Sequence, residues 1–380
     1  MDDPGTISRF RISPILYGLV GVAIAFLAMM LVRHSLRSDT ISPIVSPPIK
    51  RPLEIRGSIP YWDQQRAFTS LRTHRNLIDH VSLFWYYLNE AGDIIRYEYA
   101  QEDRSLIDVA RASHISVTIV ITNLPEDEGT TWDSRRVEHV LADADLRAYH
   151  IRNIMEKLDQ LGVDGVTIDY EEVAGSARDN FSLFIKELSQ ALHEKGKVIA
   201  VALHPKTGEG SDTRYDFQDW KTLAQYADQL LIMAYGEHWD SGSSGPIASV
   251  SWVTRIIAYA QNQDLPNEKL FLGIPLYGYD WEGESERKAT DVTYNDVQQL
   301  LTDHGVSTQW DESSRAPYFR YEKDGKTHDV WFENARSVRE KILLAEQAGF
   351  AGVTFWRLGE EDPSVWEEVR LVKESAVIKE

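Results

Sequence analysis

The sequence predicts an α/β protein built as a closed parallel (β/α)8 barrel, a TIM barrel, and three observations predict it. Eight short β-prone runs alternate with amphipathic stretches between residues 54 and 356. No Gly-rich phosphate turn follows an early run, as a doubly wound sheet would require. One stretch, Leu161–Glu172 (LGVDGVTIDYEE), runs from an apolar approach into a β-prone segment that ends in two acids. The C-terminal ends of barrel strands are where such folds keep their chemistry.

Taken in order, the chain starts with a short segment, 1–14, expected on the cytoplasmic side. Ile15–Val32 is an uncharged apolar run flanked by Arg11 and Arg33, long enough to cross a bilayer and followed by no small-residue cleavage site. It reads as an uncleaved transmembrane signal anchor. Arginines lie on both sides of it, so charge does not orient it. Residues 33–52 are a tether, with four Pro and three Ser between Ser38 and Pro52. The body is then 53–380, on the extracytoplasmic side of a single-pass anchor.

Within the body the predicted strands are Glu54–Pro60, Val81–Leu88, Ser116–Thr122, Gly165–Tyr170, Val198–Leu203, Gln229–Tyr235, Leu270–Pro275 and Gly352–Trp356. Asp145–Leu161, Ala177–Glu194 and Val250–Gln263 carry helical apolar spacing between them. The alternation breaks once. Residues 277–333 are too long for a βα loop and hold two strand-like pieces, Tyr318–Tyr321 and Asp329–Phe332, around a Lys323–Gly325 turn. This is a small α+β insertion between strand seven and its helix.

Composition narrows the function. The formal charge is −19, and residues 1–52 carry six Arg/Lys against three Asp, so the body carries −22. That argues against a nucleic-acid partner, which needs a basic footprint. With no cysteine there is no disulfide and no thiolate metal site. No His-x3-His spacing offers a metal site either, and no G-x-S-x-G elbow offers a serine hydrolase. Eleven Trp and seventeen Tyr are generous, and such rings line clefts that bind pyranose faces.

A strand alternates its faces, which puts Thr167, Asp169 and Glu171 on one side and Val166, Ile168 and Tyr170 on the other. Asp169 and Glu171 are then roughly 7 Å apart along the backbone and project into the barrel. Like charges so placed raise a carboxyl's proton affinity, the condition for a general acid near neutral pH. Asp164 and Glu172 read as helix-capping or solvent-facing acids. His204 and His238 stand near strand ends, and Trp239, Tyr277, Trp281 and Trp310 are candidate sugar-stacking rings.

The run Asp164-Gly165-Val166-Thr167-Ile168-Asp169-Tyr170-Glu171 resembles the signature strand D-G-x-D-x-D-x-E of glycoside hydrolase family 18. Met233-Ala234-Tyr235, Gly273-Ile274-Pro275-Leu276-Tyr277-Gly278 and Gly352-Val353-Thr354-Phe355-Trp356 resemble further strands of that family, in the same order. Glu237-His238-Trp239, Gly245-Pro246-Ile247-Ala248-Ser249 and Val330–Ser337 are similar to a bacterial branch that includes spore-cortex and cell-wall N-acetylglucosaminidases. The resemblance spans 54–366. It implies substrate-assisted hydrolysis with retention, in which the 2-acetamido oxygen attacks the anomeric carbon. Glu171 would be the acid and then the base, Asp169 would hold the acetamido N–H, and Tyr235 would donate to its oxygen. Trp356, Tyr61, Thr167, His204, Met233, Trp239 and Tyr277 are the candidate substrate contacts, and neither a metal nor an organic cofactor is called for. The expected partner is a β-linked glycan containing N-acetylglucosamine: peptidoglycan first, an amino-sugar exopolysaccharide next, chitin last. A non-hydrolytic sugar-binding member of the fold is the alternative. Two positions depart from the family pattern, Thr167 for its middle Asp and Gly236 for the Asp after the Met-x-Tyr segment.

Overall fold

The computed structural model describes residues 52–126, 131–208, 210, 213–283 and 288–377. The predicted anchor at 15–32 and its tether up to residue 51 lie outside the described residues. Among the described residues, no helix is long and apolar enough to cross a membrane.

The strands are β1 (Glu54–Pro60), β2 (His80–Leu88), β3 (Ile94–Arg96), β4 (Ser116–Thr122), β5 (Gly165–Asp169), β6 (Val198–Leu203), β7 (Gln229–Ile232), β8 (Leu270–Pro275), β9 (Gly278–Glu282), β10 (Thr290–Val292), β11 (Gln309–Asp311), β12 (Ala316–Lys323), β13 (Lys326–Trp331) and β14 (Gly352–Trp356). β1, β2, β4, β5, β6, β7, β8 and β14 pair in parallel in that order, and β1 pairs with both β2 and β14, which closes the barrel. β3 is added antiparallel to β2. Helices cover the outside, so the strands are buried on both faces and read as near-continuous apolar runs. β2 is buried along its whole length.

At the N-terminal rim the same device recurs three times. Asp79, Asp164 and Asp228 each precede a strand, and each carboxylate accepts the N–H of the neighbouring strand's second residue: Ile55 at 2.7 Å, Val117 at 2.8 Å and Ile199 at 2.9 Å. Their own N–H groups donate back to the carbonyls of those residues. These acids close ladder ends that would otherwise lack partners. Gly165 and Gly352 belong to the same rim. A Cβ at either would sit 2.0 Å from Val198 O or 2.1 Å from Glu54 O, so no side chain fits where the strands converge.

The insertion is a five-stranded antiparallel sheet in the order β10-β9-β13-β12-β11, with helix Tyr294–His304 on it. It has its own small core of Val292, Val297, Phe319, Tyr321, Val330 and Phe332. The predicted turn is present, with Asp324 and Gly325 at φ 52° and 74° between β12 and β13. At its return to the barrel, Lys341 and Glu333 form a fully buried ion pair at 2.7 Å, and Ser337 Oγ donates to the same carboxylate oxygen.

Three predicted strand ends shift. β5 ends at Asp169, so Glu171 stands beyond the strand. β2 begins one residue earlier than expected, at His80. β7 stops at Ile232, because the N–H groups of Ala234 and Tyr235 bond back to Ile232 O and Met233 O. Such tight turns take the chain out of the ladder.

Candidate active site

Burial along β5 follows the predicted alternation. Tyr170 points outward, 1% exposed, and its hydroxyl pairs with His150 Nε2 at 2.6 Å. Asp169 and Glu171 point the other way and open on a cleft of about 640 Å³ at the C-terminal ends of the barrel strands. Glu171 is fixed from its backbone. Its N–H donates to Asn123 Oδ1 at 2.8 Å, and Asn123 Nδ2 donates to its carbonyl at 2.8 Å. Its carboxylate oxygen Oε2 lies 3.1 Å from His204 Nε2.

Asp169 is 8% exposed, and its Oδ1 has no hydrogen-bond partner among the described residues. Burial, and then the charge of Glu171, holds its carboxyl well above the usual range. Burial likewise raises the Tyr235 phenol, with the charges of Asp169 and Glu171 adding to it. The phenol therefore stays a hydrogen donor at any working pH.

Trp356 ends β14, is joined to Arg357 by a cis peptide bond and lines the cleft. Trp62 meets its edge at 6.1 Å between centroids and is 46% exposed. Trp239 on the opposite loops is 48% exposed. Two large exposed rings in one cleft are unfavourable in water and point to a ligand with apolar faces.

Of the residues singled out from sequence, Glu171, Asp169, Tyr235, Trp356, His204, Met233, Trp239 and Tyr277 all line this cleft. Two do not. Thr167 shares the face of Asp169 but lies one layer deeper, 3% exposed, and its hydroxyl is 3.0 Å from Thr118 Oγ1. From Thr118, which also bonds His80, a polar chain continues through Ser82 to Arg56, whose burial lowers its guanidinium to about 9. Tyr61 turns away to stack on Tyr97 at 4.1 Å and Phe84 at 6.3 Å. Two rings and one histidine also fall outside. Trp281 is buried against Tyr277, Trp310 lies under Arg336 at 3.7 Å, and His238 bonds the Ser243 carbonyl at 2.9 Å.

Gly236 has φ 83°, and nothing lies within 4 Å of the place a Cβ would take, so the departure there leaves space at the rim in a backbone conformation that favours glycine. Sequence reasoning missed Trp62, Trp132 and Tyr215, which come from the connections after the strands, Trp252 in the first turn of the helix Val250–Asn262, and Asn123. Among the described residues no cluster of side chains offers a metal site.

The sequence pattern of Glycosyl hydrolases family 18 matches residues 59–361. The chain is 28% identical over 284 residues to a cortical fragment-lytic enzyme of Bacillus anthracis, covering 73% of this chain and 64% of that protein. It thus spans less than two thirds of that relative's length. The spore cortex-lytic enzyme SleL of Bacillus cereus has the same fold, with a TM-score of 0.77 at 24% identity over 84% of this chain and 74% of that one. A chitinase from Chromobacterium violaceum gives a TM-score of 0.77 at 26% identity, covering 84% of this chain and 98% of that one.

Proposed function

The chain belongs to glycosyl hydrolases family 18, and from that premise we propose that it is a retaining glycosidase acting on a β-linked polymer containing N-acetylglucosamine. One observation carries the reading: Glu171, Asp169 and Tyr235 converge in a single cleft beside the Trp356 ring. The sugar to be cleaved stacks on Trp356. Its acetamido oxygen attacks C1 while Glu171 gives a proton to the leaving glycosidic oxygen. The Tyr235 hydroxyl donates to that acetamido oxygen and orients it. Water then adds to C1 of the oxazolinium ring as Glu171 takes back a proton, and the configuration is retained.

Asp169 has the chemistry for the acetamido N–H. A buried acceptor without a donor costs about 1–3 kcal/mol, and a substrate N–H directed at Oδ1 would remove that cost. The same bond favours the carboxylate form of Asp169. Binding therefore shifts the proton of the pair towards Glu171, where the leaving group needs it.

The similarity to a cortical fragment-lytic enzyme supports peptidoglycan as the first polymer to test, ahead of an amino-sugar exopolysaccharide. The similarity to a chitinase makes chito-oligosaccharides the second assay. The purified chain should release N-acetylglucosamine reducing ends from one of these. Glu171→Gln should lower that rate by about 10²–10⁴-fold. Saturable binding without turnover, unchanged in Glu171→Gln, would instead identify a sugar-binding module. The run Ile15–Val32 is the basis for a membrane-anchored, extracytoplasmic location. Recovery of the full chain in a carbonate wash of membranes would rule that out.

A further inference from the structure

We propose that His204 is a positioning residue for the general acid, a role that rests on the glycosidase reading above. His204 follows the end of β6, next to β5, and is 4% exposed. Its backbone N–H donates to Gln218 Oε1 at 2.8 Å, while Gln218 Nε2 donates to Ala202 O at 2.9 Å. Its ring stacks on Tyr215 at 4.2 Å and meets the edge of Phe217 at 6.1 Å. The imidazole is therefore held from the backbone and from both sides, with Nε2 3.1 Å from Glu171 Oε2.

Its other nitrogen, Nδ1, is buried with no hydrogen-bond partner among the described residues. A hydrogen on Nδ1 would be a buried donor with nowhere to go, so the hydrogen belongs on Nε2, facing Glu171. In the free protein Nε2 and Oε2 are within ion-pair distance but not aligned as a hydrogen bond. When substrate orders the carboxyl, the N–H turns onto Oε2 and the catalytic proton is carried on Oε1. Catalytic contacts of this kind are loose in the free enzyme and tighten around substrate. As the C1–O bond breaks and the acetamido oxygen bonds to C1, this proton moves to the leaving oxygen, and the carboxylate left behind keeps the N–H on Oε2.

The family's middle Asp is Thr167 here, and its hydroxyl is engaged with Thr118 below the site. Asn123 holds the Glu171 backbone and leaves the carboxyl free to rotate.

The test uses the full chain and two β-glycosides of one chito-oligosaccharide, a nitrophenyl and a methyl glycoside. Nitrophenolate leaves with little protonation, whereas methoxide needs the acid. His204→Phe keeps the stack and removes the N–H; His204→Gln restores an N–H at a similar reach. Thermal melts of both variants establish that they fold. The expected result is a loss in kcat of about 10²-fold on the methyl glycoside, a loss of under about 10-fold on the nitrophenyl one, little change in KM, and partial recovery in His204→Gln. Equal losses on both substrates, or a change confined to KM, would reduce His204 to a packing residue. If the wild type cleaves neither substrate while binding both, the glycosidase reading fails and takes this role with it.

Discussion

Asp169 is where the molecule gives up stability for chemistry. Its carboxyl is held well above the usual range by burial and then by Glu171. An acid raised in this way contributes stability that is full below the ordinary carboxylate range and is lost as pH rises through the raised value. Asp169→Asn removes the titration. Its melting temperature should therefore rise relative to the wild type as pH goes from about 4 to about 8, while cleavage falls by about 10²-fold or more. A pH-independent difference between the two melting curves would contradict the buried, strained acid described here. Asp169 and Glu171 were legible as a pair from the period of two alone. That period also grouped Thr167 with them, because alternation gives the face but not the depth, and Thr167 lies a layer below the cleft.

At the scale of elements, the two rims of the barrel use acids for opposite ends. Asp164 belongs to the same signature run as Asp169 and Glu171, yet it lies at the N-terminal rim and bonds the Val117 N–H. Asp164→Ala should cost about 1–2 kcal/mol in denaturant unfolding and leave kcat unchanged; a large fall in kcat would put it in the machinery instead. The junction of insertion and barrel depends on Glu333 and Lys341, both side chains wholly buried. Burial raises the Glu333 carboxyl in spite of Lys341 beside it, so the pair is costly to split. Lys341→Ala should destabilise by about 3–5 kcal/mol, and adding Glu333→Gln should recover much of that loss, because it removes the stranded charge. A double variant as unstable as the single one would show that packing, not charge, dominates the junction.

Across the whole molecule, the barrel and its one interruption were readable because parallel strands buried on both faces give apolar runs, and because a β-rich stretch too long for a βα loop has to fold separately. β9, β10 and β11 were not readable. They are short, β10 and β11 carry exposed polar residues, and only pairing defines them: β9 with β13, β10 with β9 and β11 with β12. Asn123 was invisible for a related reason: it acts on Glu171 across 48 residues through a side chain–backbone clamp that leaves no local pattern. The cleft rings from the loops share that limit, since nothing in their spacing says which loops meet. In the proposed function, strand order, cleft and paired acids meet in a reaction that uses the substrate's own acetamido group. The direct test is the initial cleavage rate on an N-acetylated chito-oligosaccharide beside its de-N-acetylated counterpart. The account predicts turnover of the acetylated chain and none of the other. Comparable rates on both would contradict it, because a free amine cannot supply the attacking oxygen.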